Sequence, residues 1–269
     1  MKRLTIATWN INSVRLRMGL VAELVRARRP DILCLQETKV TDDKFPMRDF
    51  RELGYEHAAI CGQSGYHGVA TLSRVPFREV DRKRFCGKED ARHVRVTVGD
   101  GVEVHNFYIP SGGDEPDPAV NEKFGHKLDF LTEMRDWFGA RRAKTKNKLV
   151  ALGDFNVAPL EHDVWSHKQL LKVVSHTPVE VEHLAHLQRA HDWIDVTRAE
   201  RPEPEKLYTW WSYRARDWRT SNRGRRLDHI WVTPALRGRA RNVEILSEAR
   251  GWERPSDHVP VLMHLDVEA

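Results

Sequence analysis

Short runs rich in Val, Ile, Leu and Thr recur along the whole chain: LTIATWN (4–10), DILCLQE (31–37), HGVATLS (67–73), HVRVTVG (93–99), VEVHNFY (102–108), KLVALGD (148–154), RLDHIWV (226–232) and VPVLMHL (259–265). Several alternate apolar and polar positions, the period-two signature of a strand, whereas KLVALGD is apolar almost throughout and reads as fully buried. Between the runs the period changes to three and four. MGLVAELVRARRP (18–30) predicts a helix that stops at Pro30, and NEKFGHKLDFLTEMRDWFGARRAK (121–144) and VEVEHLAHLQRAHDW (179–193) predict two more. Many short strands, a few helices and no long linker predict one α/β domain over 1–269, two packed sheets with helices outside. PSGGDEPDPAVN (110–121) and RAERPEPEKLYTW (198–210) are polar loops within it.

The polar residues are placed oddly. Asn10 and Asn12, Gln36 and Glu37, Tyr108, and Asp154 with Asn156 all close apolar runs, while Asp228, Asp257 and His258 open them. Any one of these is an ordinary turn or cap residue. Together, if the strand ends meet on one edge, they assemble carboxylates that repel one another and resist desolvation. A hard divalent cation relieves that repulsion, and Asp, Glu and Asn oxygens suit Mg²⁺ or Mn²⁺ better than Zn²⁺. The net charge of +5 is compatible with a polyanionic partner. Three cysteines, an odd number without CxxC spacing, suggest a reducing compartment. The N-terminal run is short and broken by Thr5 and Thr8, so neither a signal peptide nor a membrane span is expected. A cytoplasmic monomer is the expectation.

The segments WNIN (9–12), LQETK (35–39), YIPSGG (108–113), GDFNVAP (153–159), YTWWSYR (208–214) with NRGRRLD (222–228), and SDHVPV (256–261) resemble, in order and spacing, the exonuclease III family of apurinic/apyrimidinic endonucleases, within the endonuclease/exonuclease/phosphatase superfamily. The resemblance runs from about Ile6 to Leu265. It implies a four-layered α/β sandwich of two packed mixed sheets flanked by helices, and a Mg²⁺-dependent phosphodiesterase of base-excision repair. Such an enzyme incises double-stranded DNA 5′ to abasic sites, degrades it 3′→5′ and removes groups that block 3′ ends. By resemblance Glu37 is the principal metal ligand, with Asn10 beside it and Asp257 near the same site. Asp154 orients or deprotonates the attacking water, Asn156 donates to the phosphate or that water, and Tyr108 donates to the phosphate or leaving oxygen. His258 contacts a phosphoryl oxygen and Asp228 orients its ring. Arg15 and Lys39 are expected at the DNA-binding rim, Ser111 at a phosphate, and Trp210, Trp211, Trp218, Arg225 and Leu227 in an aromatic, arginine-rich groove.

Two positions depart from the family pattern. Ser111 stands where many relatives carry Asn or Gln, with a shorter reach. Arg225 stands where a large apolar residue often lines the sugar pocket; an arginine there stacks or binds phosphate instead. Two other readings use the same residues: a phosphatase or phospholipase of the superfamily, and a non-catalytic DNA-binding protein on this fold. The basic aromatic segment 208–228 speaks against the first, and the complete set of chemical residues against the second.

Overall fold

The computed structural model describes residues 1–142, 147–215 and 217–268. Its strands, in chain order, are β1 (Lys2–Asn10), β2 (Ile32–Gln36), β3 (His57–Cys61), β4 (Val69–Ser73), β5 (Val80–Asp81), β6 (His93–Val98), β7 (Val102–Tyr108), β8 (Leu149–Asp154), β9 (Ile194–Asp195), β10 (Trp210–Trp211), β11 (Gly224–Arg225), β12 (Asp228–Val232), β13 (Ala240–Ile245) and β14 (Val261–Val267). One six-stranded sheet has the order β13-β14-β1-β2-β4-β3 and the other β5-β6-β7-β8-β12-β9; β10 and β11 form a separate ribbon. Each large sheet is mixed, with one parallel pair at its centre: β1 with β2, and β7 with β8.

The apolar alternation builds the core. Leu4, Ile6, Ile32 and Cys34 of the first sheet pack against Val94, Val96, Val104, Val150 and Ile230 of the second. Polar side chains also tie the sheets together. Gln36 Nε2 donates to Asn106 Oδ1 at 2.7 Å and to Thr8 Oγ1 at 3.0 Å, and Asn106 Nδ2 donates to the carbonyls of Leu35 and Ala70, each at 3.1 Å. All of these groups are buried, so their mutual pairing offsets most of the cost of burying them, leaving Gln36 Oε1 without a partner among the described residues.

Helices cover the outer faces. Helix Met18–Arg28 buries Leu20, Val21, Leu24 and Val25 and ends where Arg29 turns left-handed, its N–H on the Val25 carbonyl, just before Pro30. Helix Glu122–Arg141 starts at Asn121, whose side chain accepts from Lys123 N–H, and packs Phe130, Leu131, Met134 and Phe138 with Leu184 and Leu187 of helix Pro178–Ala190. The expected extension of that first helix to Lys144 falls partly on residues outside those described. The four layers, helix, sheet, sheet, helix, are those expected from the sequence. No helix of the described residues is long and apolar enough to cross a membrane.

Register fixes where the chemistry goes. The parallel pairing sets Asn10 opposite Gln36 and Tyr108 opposite Asp154, at the carboxyl ends of their strands. Because β12 runs antiparallel to β8, its first residue, Asp228, lands opposite Asp154. Gly153 permits the close approach of β7 and β8: it has φ 132°, and a Cβ there would stand 2.0 Å from the Phe107 carbonyl oxygen.

Candidate active site

The strand ends open into one cleft of about 750 Å³, lined in part by Glu37, Tyr108, Ser111, Asp154, Asn156, Trp210, Arg225, Leu227, Asp257 and His258. Asn10 and Asp228 stand directly behind it, 0% and 1% exposed. Residues more than two hundred positions apart therefore meet at one corner.

Asp154 is the centre. Its Oδ2 accepts from Asn10 Nδ2 at 2.9 Å and from Asn156 Nδ2 at 3.1 Å, and its Oδ1 accepts from Asn156 N–H at 2.9 Å. The Asn156 contacts come from a tight turn just past β8, in which Asn156 is left-handed at φ 55° and also donates to the Ile109 carbonyl. His258 Nε2 lies 3.6 Å from Asp154 Oδ2, and His258 Nδ1 is 2.8 Å from Asp228 Oδ2. That second bond fixes the ring, with Nδ1 facing Asp228 and Nε2 facing the cleft. Asp228 is held in turn by its own N–H on Thr209 Oγ1 at 3.1 Å.

Glu37 forms the other wall. Its Oε1 accepts from Tyr108 OH at 2.6 Å and Asn10 Nδ2 at 3.1 Å, and Lys39 Nζ lies 2.9 Å from Oε2. Asn10 presents its amide nitrogen to both carboxylates, while its Oδ1 accepts from Asn12 N–H at 3.1 Å. Asn12, a strand-end residue not assigned a role from the sequence, is a hub. Its Oδ1 accepts from Lys39 Nζ at 2.6 Å and its Nδ2 donates to Asp257 Oδ1 at 3.2 Å. Asp257 Oδ2 accepts from Trp210 Nε1 at 3.0 Å.

The electrostatics follow from burial and neighbours. Burial pushes the Asp154 carboxyl up, His258 opposes this, and Asp228 and Glu37 add to it, giving about 7. Burial disfavours the His258 imidazolium, but Asp228 and Asp154 outweigh it and hold the ring protonated, up to about 10. Burial and then the Glu37 charge push the Tyr108 phenol well above its ordinary value, so it stays a donor. Burial of Glu37 is outweighed by hydrogen bonds from Lys39 and Tyr108, which keep it ionised below the usual carboxylate range.

Four carboxylates thus gather at one corner against one ammonium and one imidazolium. Asp154, Asp228 and His258 have ligand atoms within 4.8 Å of one another, and Asp228 Oδ1 is buried without a hydrogen-bond partner among the described residues. Asp228 and His258 are, however, already paired with each other. Glu37, Asp154 and Asp257 also line the cleft and offer the oxygen donors that a hard divalent cation takes, but only the Asp154, Asp228 and His258 group meets that distance among the described residues.

Of the residues expected to meet DNA, Ser111, Trp210, Arg225 and Leu227 line the cleft, while Arg15, Lys39, Trp211 and Trp218 do not. Trp211 is 4% exposed and faces the core, its ring 5.2 Å from that of Trp218, so neither tryptophan lines the cleft. Arg15 is exposed on the short helical turn Arg15–Arg17 and does not line the cleft. Lys39 is engaged by Glu37 and Asn12. Ser111 is exposed in the cleft, and its carbonyl accepts from buried Lys127. In the arginine-rich run 214–226, Arg214, Arg223 and Arg225 face the cleft, Arg226 is fully buried, and Arg216 lies outside the described residues. Trp165 and Arg223, unassigned from the sequence, also line the cleft; only their place in the fold reveals them.

A family model described as the endonuclease/exonuclease/phosphatase family matches residues 7–258. The chain belongs to this family. Within the family it is similar to exodeoxyribonuclease III of Haemophilus influenzae, 31% identical over 268 residues, covering 94% of this chain and 97% of that protein. Among solved structures it is similar to an AP endonuclease from Archaeoglobus fulgidus, with 32% identity, a TM-score of 0.89, and coverage of 98% of this chain and 100% of that one. It is also similar to a 3′ phosphatase from Neisseria bound to product DNA hairpin, with 33% identity, a TM-score of 0.88, and coverage of 98% and 99%. Membership in this family of metal-dependent hydrolases accounts for why the strand ends carry carboxylates, amides and a histidine rather than a second apolar core.

Proposed function

We propose that the chain is a metal-dependent DNA repair nuclease that hydrolyses phosphate esters of duplex DNA, beside abasic sites and at 3′ ends, with Mg²⁺ or Mn²⁺ as its resident ion. The observation that carries this reading is the buried Asp154, braced by Asn10 and Asn156 and facing His258 across 3.6 Å. Glu37 would hold the ion, with Asn10 and Asp257 beside it. When bound, the ion supplies charge neutralisation at the phosphate and a stabilised leaving oxygen.

The protein's own groups would do the rest. Asp154 orients the attacking water and takes its proton. Asn156 fixes that carboxylate, its two amide N–H groups shared between Asp154 and the Ile109 carbonyl. His258, kept protonated by Asp228, offers Nε2–H to a phosphoryl oxygen, and Tyr108 offers its hydroxyl. These donors are fixed at strand ends before substrate arrives, so little reorganisation is needed in the transition state. Arg214 and Arg223 give the cleft its affinity for the DNA backbone.

The test uses a labelled duplex with one abasic site and an undamaged duplex with a recessed 3′ end. Both are expected to be cleaved in Mg²⁺ and neither in excess chelator, with activity restored by Mg²⁺. A phosphoinositide is expected to remain intact. Binding should weaken steeply with salt, by a log–log slope of about −0.9 per phosphate neutralised. Full cleavage in chelator would falsify the reading.

A further inference from the structure

Away from the Asp154 corner, the cleft has a feature that phosphodiester hydrolysis alone does not require. Its two tryptophan faces are both covered by arginine. The Arg225 guanidinium carbon stands 5.1 Å from the Trp210 ring centroid, and that of Arg223 stands 4.7 Å from Trp165. A cation over an indole occupies the surface against which an uncharged sugar would pack. Arg225 is also fixed in place. Its Nη1 donates to the Val174 carbonyl at 3.0 Å and to Ser175 Oγ at 2.8 Å. Ser175 is tied down by its N–H on the Glu180 carboxylate, 3.0 Å from each oxygen. Arg225 Nε is enclosed and out of a ligand's reach, but Nη2 makes no hydrogen bond to the described residues, and Arg225 lines the cleft. A charged donor left unpaired in this way is a ready site for an acceptor that arrives with the substrate.

We infer that Arg225 sets the preference of this cleft toward a terminal phosphomonoester on a 3′ end and away from the uncharged sugar of an internal abasic site. The inference rests on the nuclease reading above and specifies its substrate. A terminal phosphate carries more negative charge than a diester and an oxygen that an internal linkage lacks. Arg225 provides a pre-positioned, charge-assisted donor for that oxygen. A base-free sugar brings no anion and has to displace a cation from the Trp210 face. The reaction itself is hydrolysis: the water oxygen bonds to phosphorus, the P–O3′ bond breaks, the 3′ oxygen takes a proton, and inorganic phosphate leaves.

The experiment compares kcat/KM on a nicked duplex bearing a 3′-phosphate with kcat/KM on a duplex bearing one abasic site, for wild type, Arg225→Leu and Arg225→Lys, each with a thermal melt. Wild type is expected to favour the 3′-phosphate. Arg225→Leu should lower that activity by about ten- to a hundredfold, the scale of one charge-assisted hydrogen bond, while abasic incision rises. Arg225→Lys, which keeps the charge and loses the fork, should fall between them. Should Arg225→Leu melt early, Ser175→Ala carries the same comparison: the ratio is expected to shift toward abasic incision, and an unchanged ratio overturns the inference. Equal loss on both substrates in a stably folded Arg225→Leu, or a wild type that incises abasic DNA at least as fast, overturns the inference and leaves the nuclease reading standing. Hydrolysis of neither substrate by wild type in Mg²⁺ overturns both.

Discussion

Asp154→Asn is expected to lower DNA cleavage by about 10²–10⁴-fold, the usual contribution of a positioned general base, while leaving duplex binding intact. The replacement keeps the shape of the side chain, so one amide oxygen can still accept from Asn156 N–H, as Oδ1 does at 2.9 Å. The other oxygen, however, becomes an NH₂ group. It would face Asn10 Nδ2, Asn156 Nδ2 and the ring nitrogen of His258, all donors or cationic in the present arrangement. The water loses its proton acceptor and its orienting group together. Affinity for DNA should be retained, because the substitution removes a negative charge and leaves Arg214 and Arg223 in place. Single-turnover cleavage and fluorescence anisotropy separate the two effects. Wild-type cleavage in the variant would remove Asp154 from its proposed role.

The second large effect concerns folding. Arg226 is 0% exposed and gives a two-pronged contact to Asp163, Nε to Oδ1 at 2.8 Å and Nη2 to Oδ2 at 2.9 Å, while its Nη1 donates to Asp195 Oδ2 at 2.8 Å. Arg198 also reaches Asp163, with Nε to Oδ1 at 3.1 Å. Two arginines and two aspartates thus close a neutral buried network one residue before Leu227 and two before Asp228, and it anchors the start of β12. Arg226→Met should cost about 3–5 kcal/mol, because it strands buried carboxylates without their main partner. Burial favours the neutral form of Asp163 and Asp195, but the arginines outweigh it and hold both below the usual carboxylate range. Their stabilisation is therefore complete above the unfolded-state carboxylate pKa of about 4 and is lost as pH falls through the lower folded-state values. The variant should accordingly melt earlier at neutral pH and lose less stability on acidification than wild type. Denaturant melts at pH 7 and at about pH 3 test both points. Unchanged stability at neutral pH would show that the network contributes nothing.

Much of this architecture was legible as pattern. The long Val- and Ile-rich runs became the central strands, because alternation and apolar continuity report burial directly. The convergence of Asn10, Glu37, Tyr108 and Asp154 was visible as polar residues closing those runs. Their meeting depended on pairing register, which local sequence does not encode. The edge strands β5, β9 and β13 left little trace, being two residues long or only partly buried. Trp211 shows how proximity in sequence misleads. In a strand neighbouring side chains point to opposite faces, so when Trp210 turns toward the cleft Trp211 turns toward the core. Arg226 shows the complementary limit. Within an arginine-rich run it looked like surface, and only Asp163 and Asp195, 63 and 31 positions away, explain its burial. Asn12 was visible as a second strand-end amide, but its link between Lys39 and Asp257 exists only in three dimensions.

The proposal stands on a divalent ion being held at Glu37 and used in cleavage. The most direct measurement is a Mg²⁺ titration of cleavage with metal-stripped protein, wild type against Glu37→Gln. The expected result is that Glu37→Gln needs about tenfold or more Mg²⁺ for half-maximal rate, the scale of losing one charged ligand. Superimposable titration curves, or cleavage that proceeds with no added metal, would contradict it.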